Sequence, residues 1–576
     1  MNTKDTLKLN RRKMLAAATA AGVGLTLSSV AAEAEEHWDH DTDVVCVGGG
    51  AASCSAAIAA LDAGARVMLL EKLPLLGGTT AKSAGVVWVP NNFVLRQNGV
   101  EDRKEDAMKY MARYSYPLEY NPGSPTLGLT PFNYALIEAF YDNAAKTIDR
   151  LQELGVVKFR EFRLWQVDQP CPDYADHLPE NKTPVGRSLE SAVGWGPGGG
   201  ASLAGQLEAW LRAKKVPILT KTRVTRLVVR DGRVIGIEAD SKGKPLRIRA
   251  RRGVVFGTGG YAQNTELVER HQIALYGACA GPGATGDFIG IAQEAGAKMG
   301  ALGTAWRSPV LLEEALQNRV LGIGAFWMPG DSMILVNKYG KRCVDEKRPY
   351  NVRTQAHFHY DSTREEYPNH LMFMLFDQRT LDAFGGDLPL PPWQTEHPYL
   401  LRGESWEALA SALSAKLQSL EGKTGGVKLS ADFADSLAAT IAGFNDYATQ
   451  GKDSEFGRGN QLYDRRWHLM VSARRQGTTQ PENPYPNITM HPFEKKGPYY
   501  AFILAPGALD TSGGPLINEK AQVLAHDDAP IPGLYGAGNC IAAPSRGAYY
   551  GAGGTIGPAL TFGAIAGRNA ARETPA

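Results

Sequence analysis

Asp43-Val44-Val45-Cys46-Val47-Gly48-Gly49-Gly50-Ala51-Ala52-Ser53 is the stretch on which the fold turns. The apolar run Asp43 to Val47 reads as a buried parallel strand, with no polar face to show to water. Gly48 to Gly50 form a tight turn, and the Ala-rich segment Ala51 to Ala63 reads as a helix. Ala65 to Glu71 is a second strand, which completes a compact βαβ unit. In Gly48-x-Gly50-x-x-Ser53, Gly48 permits the turn and Gly50 lets a pyrophosphate approach the backbone at the helix N-terminus, where free N–H groups attract anions. Ser53 stands where a third Gly or Ala is usual and is small enough for close helix–strand packing. Glu71 ends the second strand at the spacing of an acid that bonds a ribose. The unit predicts a dinucleotide site.

Further segments repeat the strand–glycine pattern. Val224 to Ile237 reads as two strands joined by Asp231-Gly232, a hairpin signal. Gly253 to Phe256 is a strand running into Gly257-Thr258-Gly259-Gly260, and the last eighty residues end in a helix over Gly557 to Arg572. The middle differs. Met333 to Val336 and Cys343 to Glu346 are expected as strands, Ser405 to Leu420 and Ser430 to Thr449 as helices with Ser caps, and Asp387 to Pro398 and Pro481 to Pro492 as loops. The fold expected is α/β: a Rossmann-type dinucleotide-binding domain over 38–300 and 493–574, interrupted by an inserted α+β catalytic (cap) domain over 301–492. A chain of 576 residues with 43% hydrophobic content has room for both.

Residues 1–34 read as a targeting segment. Arg11 and Arg12 precede a mild apolar run, Ala16 to Val30, and Ala32-Glu33-Ala34 offers a small-x-small cleavage site. Paired arginines before a weak apolar run resemble a twin-arginine export signal, so a periplasmic location is expected; the alternative is a basic tail with a short helix. No stretch of membrane-spanning length follows, which leaves only peripheral membrane contact. Without residues 1–34 the chain has 57 basic and 58 acidic residues, and no nucleic-acid footprint. The six cysteines include no Cys-x-x-Cys pair, so neither a zinc ribbon nor an iron–sulfur cluster is expected, and no metal site is assigned.

Glu71-Lys72-x-x-x-x-Gly77-Gly78-Thr79-Thr80 resembles the run that continues along FAD in the fumarate reductase and succinate dehydrogenase flavoprotein superfamily. Thr258-Gly259-Gly260, Gly533 to Asn539, Phe444-Asn445 with Asp453, and Phe456-Gly457-Arg458-Gly459 match further segments in order. The cofactor this implies is FAD. The residues implied to hold it are Gly48, Gly50, Ala51, Ala52, Glu71, Lys72, Gly78, Thr79, Thr80, Ser83, Val224, Gly259, Gly538, Asn539, Gly557, Pro558 and Ala559. Gly557-Pro558-Ala559 opens the last helix, whose N-terminal dipole would face the flavin N1–O2 edge.

The fumarate-reducing members clamp a dicarboxylate with His and Arg. Here the corresponding stretches, Ala505 to Gly514 and Tyr549 to Gly554, carry neither. Gly538-Asn539-Cys540-x-Ala542-Ala543-Pro544-Ser545 followed by Tyr549-x-Gly551-x-Gly553-x-Thr555-Ile556-Gly557-Pro558 resembles instead the 3-ketosteroid dehydrogenases, as do Asp345-Glu346-x-x-Pro349-Tyr350 and Asp173-Tyr174 with Gly186-Arg187-Ser188-Leu189. That resemblance implies desaturation of a carbon–carbon bond beside a steroid ketone, Δ1 favoured over Δ4. Tyr549 and the Gly553 N–H would hold the 3-oxo oxygen, Tyr350 would take the α-proton, Tyr174 would relay it, and the hydride would go to flavin N5. Phenols and backbone N–H groups suit a neutral apolar substrate, which has no charge to clamp. A phenol serving as base needs its ordinary pKa near 10 lowered locally. Tyr114, Tyr116 and Tyr120, and Phe326, Trp327 and Met328, are candidates for pocket walls or plain core. The partners expected are a hydrophobic, 3-ketosteroid-like small molecule and an unidentified electron acceptor. The alternatives are a reductase of an unsaturated acid, a non-catalytic flavin- or steroid-binding protein and a nicotinamide-dependent dehydrogenase.

Overall fold

The computed structural model describes residues 37–164, 167–193, 199–392, 395–470 and 482–576. The chain divides into two units, Met1–Trp38 and Asp39–Ala576. The signal expected at 1–34 lies outside the described residues, and the second unit carries the fold.

Its larger sheet has eight strands. The strands His40–Val47, Val67–Leu70 and Ile218–Leu219 lie in parallel on one side, and Lys244–Phe256 and Pro530–Gly536 continue it on the other. Val44 to Val47 are almost wholly buried, as a strand covered on both faces must be. The helix Ala51–Asp62 follows the first strand after Gly50 and packs on the last helix, Ile556–Arg572. Their contact is close because it is made of small residues: a Cβ on Gly563 would stand 2.3 Å from the Ala52 oxygen, and one on Gly567 2.1 Å from that of Ala56. The hairpin Thr222–Arg230 and Arg233–Ser241 turns at Asp231 and Gly232, both at positive φ, which is why Asp-Gly occupies the turn.

The second sheet has five strands, Thr304–Leu311, Met333–Val336, Met372–Asp377, Leu401–Gly403 and the long Tyr499–Ser512. Tyr499–Ser512 pairs with three of the others. The helices Trp406–Ser419 and Phe433–Gln450 join this sheet in one apolar core. Ser405 caps the first, as its sequence position predicts. The second begins two residues later than expected, with Asp432 rather than Ser430 at its N-cap. The expected strand Cys343–Glu346 is absent. That segment is irregular because its charged side chains are drawn into a buried ionic cluster: Glu346 accepts from Arg342 at 2.9 Å and pairs with Arg458 at 3.3 Å, and all three side chains are fully buried.

No described helix is long and apolar enough to cross a membrane. No cluster of potential metal ligands occurs among the described residues.

Candidate active site

The βαβ turn opens onto a cavity of about 1070 Å³, its open mouth included. Its walls hold Gly48, Gly50, Ala51 and Ala52 from the first turn, and Glu71 and Lys72 from the end of the second strand. Gly78, Thr79, Thr80 and Ser83 come next along the chain, with Val224, Gly259, Gly538, Asn539 and Ala559 from distant segments. Gly557 and Pro558 are not among the lining residues of this cavity. Gly557 is a packing residue, since a Cβ there would meet the Trp88 oxygen at 2.1 Å. Pro558 lines an adjoining cavity of about 470 Å³ with Trp306 and Phe562. Lys72 lines the main cavity, but its ammonium is committed to Asp287 at 2.9 Å and Thr285 at 2.5 Å.

The wall fits a dinucleotide. Gly48 has φ +108°, and a Cβ on it would strike the Gly257 oxygen at 2.6 Å, so this glycine serves the turn. Ser53 completes the turn by donating to the Val47 carbonyl at 2.7 Å. Gly50 has ordinary extended backbone, and the nearest atom to a Cβ there is Thr80 Oγ1 at 3.6 Å. The protein therefore leaves room at Gly50 that only a ligand needs. Thr258 Oγ1, buried in the same wall, has only the weak Cys540 thiol beside it, so a bound polar group would satisfy it better. Glu71 is held by the Leu73 N–H at 2.8 Å, and burial raises its pKa above the ordinary carboxylate value. The helix Ile556–Arg572 begins at the wall through Thr555 and Ile556, which brings its positive end to the cavity.

One wall residue escaped the sequence. Asp510, on the long strand of the second sheet, is wholly buried in this wall. It accepts from the Gly260 N–H and the Asn539 amide, both at 3.1 Å, and burial pushes its pKa up to about 6. Asn539 in turn accepts from Trp306 Nε1 at 2.9 Å.

The three tyrosines taken from separate motifs meet in one aromatic cluster. The Tyr174 hydroxyl donates to that of Tyr350 at 3.0 Å. The Tyr549 ring stacks on Tyr174 at 5.2 Å and lies edge-on to Tyr350 at 5.7 Å. Trp306 stands edge-on to Tyr549, and Phe326 packs on Tyr350 at 5.1 Å. Trp327 belongs to the same cluster and Met328 to the neighbouring core. Tyr114, Tyr116 and Tyr120 pack elsewhere: Tyr116 donates to the Pro544 carbonyl at 2.8 Å, and Tyr114 lies against Tyr550.

The motif residues around the tyrosines explain how they are held. Arg187 is fully buried between Asp102 and Asp173, at 2.7 and 2.6 Å. Removing Arg187 would leave two buried carboxylates without their cation, a cost of about 3–5 kcal/mol. This pair fixes the start of the Asp173-Tyr174 segment, and the Tyr174 N–H donates to the Tyr550 carbonyl at 2.9 Å. Ser188 ties the same region to the Ala552 carbonyl at 2.9 Å. Arg348 links the Tyr350 segment to Tyr174, whose carbonyl it reaches at 2.7 Å. Gly553 has φ +89° and a Cβ there would meet Val86 and Val87 backbone at 2.5 Å, so only glycine lets its N–H stand at this place. That N–H has no protein acceptor among the described residues.

Burial in this apolar cluster pushes the hydroxyl pKa of Tyr350 well above 10, with the neighbouring Tyr549 adding to it and the Tyr174 hydrogen bond opposing it. Tyr174 and Tyr549 are raised too, chiefly by burial. The local lowering expected of a base is therefore absent from the protein by itself: aromatic walls disfavour the phenolate more than one hydrogen bond favours it.

Comparison with known proteins places this architecture. A family model described as an FAD binding domain matches residues 43–556. A 3-oxosteroid 1-dehydrogenase of Mycolicibacterium smegmatis is 32% identical, over 91% of this chain and 96% of its own length. A 4-oxocyclohexanecarboxylate 2-dehydrogenase of Sinomonas cyclohexanicum is 29% identical over 92% and 93%. The crystal structure of 3-ketosteroid delta1-dehydrogenase from Sterolibacterium denitrificans, in complex with 1,4-androstadiene-3,17-dione, superposes with a TM-score of 0.76 at 26% identity, covering 92% of this chain and all of that one. The chain belongs to the FAD-binding flavoprotein family, in its 3-ketosteroid dehydrogenase branch, and is an FAD-dependent oxidoreductase.

Proposed function

We propose that this enzyme desaturates the carbon–carbon bond next to the ketone of a 3-ketosteroid, with Δ1 regiochemistry. The observation that carries the proposal is the convergence of Tyr174, Tyr350 and Tyr549 in one buried aromatic cluster. FAD supplies the hydride acceptor when bound. Tyr549 and the Gly553 N–H receive the ketone oxygen, where a donor aimed at developing enolate charge lowers the barrier most. Tyr350 takes the α-proton, and the Tyr174 hydroxyl, 3.0 Å away, passes it on. The aromatic walls exclude water and bind an apolar ring body. Electrons leave to an acceptor still to be identified.

Two relatives share the chemistry of a ring ketone but not the size of substrate. Substrate and product analysis decides between them. With an artificial electron acceptor, a 3-ketosteroid should lose two hydrogens from ring A, whereas 4-oxocyclohexanecarboxylate should react far more slowly. The reverse preference would overturn the steroid assignment. Fumarate should be neither reduced nor bound, since Ala505 to Gly514 and Tyr549 to Gly554 supply no His or Arg for two carboxylates; efficient fumarate turnover would move the chain to the reductase branch.

We also propose export by the Arg11-Arg12 signal. Replacing both with Lys should hold the precursor in the cytoplasm. Unchanged periplasmic yield would show that the pair is not a signal.

A further inference from the structure

Asp510 brings a carboxylate into the cofactor wall with no cation beside it. It is 1% exposed; Oδ2 accepts from the Gly260 N–H and the Asn539 amide, both at 3.1 Å, and Oδ1 from the Thr511 N–H at 2.8 Å. Oδ2 also stands 3.7 Å from where a Cβ on Gly259 would lie, and Gly259 and Asn539 both line the cavity. Each of these partners is neutral. Arg307, on the paired strand Thr304–Leu311, turns elsewhere, to Gln272 Oε1 at 2.6 Å and the Ala274 carbonyl at 3.1 Å. The Tyr261 hydroxyl, which feels the Asp510 charge, is bonded to the Leu302 carbonyl and is held neutral by burial. Among the described residues, then, no ion pair reaches Asp510. Buried charges are normally paired, and an unpaired carboxyl in a cofactor wall points to function.

Its place in the wall says which function. Asn539, which donates to Asp510, accepts from Trp306 Nε1 at 2.9 Å, and Trp306 lies edge-on to Tyr549 at 5.7 Å. Thr555, also in the wall, is hydrogen-bonded to the Tyr549 hydroxyl. Asp510 therefore sits where the cofactor wall meets the tyrosine cluster, the part that takes the reacting ring of FAD. Hydride transfer brings two electrons and one proton to that ring and so adds a negative charge. A carboxylate in the same low-dielectric wall repels that charge, whereas the positive end of the helix Ile556–Arg572 favours it. We propose that the Asp510 carboxylate sets the reduction potential of the bound flavin, holding it down by opposing the charge that reduction adds. A flavin held at lower potential passes its electrons more readily to the acceptor. The proposal rests on the FAD assignment and not on the identity of the substrate.

The test compares FAD-loaded wild type with Asp510→Asn, a neutral side chain of the same shape, and with Asp510→Ser, which removes the carboxyl. The flavin midpoint potential is measured at pH 8 against dyes of known potential, and sulfite is titrated into the oxidised enzyme. That pH lies above the value of about 6 to which burial pushes the Asp510 pKa, so the wild type carries the charge. Both variants should raise the potential: at a fixed potential the ratio of reduced to oxidised flavin should grow roughly tenfold or more, about 30 mV for a two-electron couple. Sulfite adds to flavin N5 and brings a negative charge with it, so its Kd should fall by a similar factor. A purely structural role for Asp510 would move neither quantity. A variant that holds stoichiometric FAD at the wild-type potential and sulfite affinity would overturn the proposal. So would loss of FAD from both variants, which would make Asp510 a structural member of the cradle only.

Discussion

Tyr350→Phe should lower the rate of the chemical step by about 10²–10⁴-fold, the usual contribution of a positioned general base, while ketosteroid binding persists. Phenylalanine keeps the ring contacts with Phe326 and Tyr549 and removes only the hydroxyl that Tyr174 meets at 3.0 Å. The substitution is therefore a clean deletion of one oxygen from a packed cluster. Tyr549→Phe should differ in kind. Its hydroxyl would bond the ketone in the ground state and the enolate in the transition state, so both binding and rate should fall, the latter by about 10²–10³-fold. A second consequence concerns pH. Burial raises the Tyr350 hydroxyl pKa well above 10, and the base is the deprotonated form. Below that pKa the active fraction grows with each unit of pH, so turnover should rise through the alkaline range, and the rise should vanish in Tyr350→Phe. Near-normal rates in Tyr350→Phe, or exchange of the α-proton with solvent at the wild-type rate in that variant, would remove the residue from the mechanism.

Gly50→Val should yield a folded, colourless protein. Gly50 has φ −87° and ψ −176°, a conformation open to any residue, and its Cβ position has no neighbour closer than 3.6 Å. The fold therefore tolerates the side chain, while the cavity that Gly50 lines does not. A β-branched group would occupy the place where a pyrophosphate meets the helix N-terminus. FAD should be lost through gel filtration while circular dichroism and the thermal transition of the apoprotein stay close to those of the stripped wild type. Gly48→Ala makes the contrast: at φ +108°, with Gly257 oxygen 2.6 Å from its Cβ, it should damage the turn itself and lower stability. A Gly50→Val protein that keeps stoichiometric FAD would contradict the placement of the cofactor.

Much of this was legible in the sequence where the signal is local. A strand, a glycine turn, an Ala-rich helix and an acid within thirty residues specify the cofactor cradle, and the strand–glycine pattern of the last eighty residues leads into the final helix. The three tyrosines were reached through resemblance, because nothing local marks Tyr174 or Tyr350 as different from any packing residue. What stayed hidden depends on residues far apart in sequence. Asp510 enters the cavity wall only because Tyr499–Ser512 crosses beside Gly260 and Asn539. Cys343–Glu346 has the composition of a short strand, yet Arg342 and Arg458, the latter more than a hundred residues away, draw Glu346 into an ionic cluster instead. Pro558, expected in the cofactor site, lines the adjoining cavity, which shares Gly538, Asn539 and Ala559 with the main wall.

The most direct test of the central claim is an anaerobic single turnover. Purified, FAD-loaded enzyme is mixed with one equivalent of a 3-ketosteroid, and the flavin absorbance is followed without any electron acceptor. The account predicts that the oxidised flavin band bleaches, that one Δ1-unsaturated 3-ketosteroid forms per flavin reduced, and that Tyr350→Phe binds the same steroid without bleaching. An oxidised flavin band unchanged by every 3-ketosteroid tried, in wild-type enzyme shown to hold stoichiometric FAD, would contradict it.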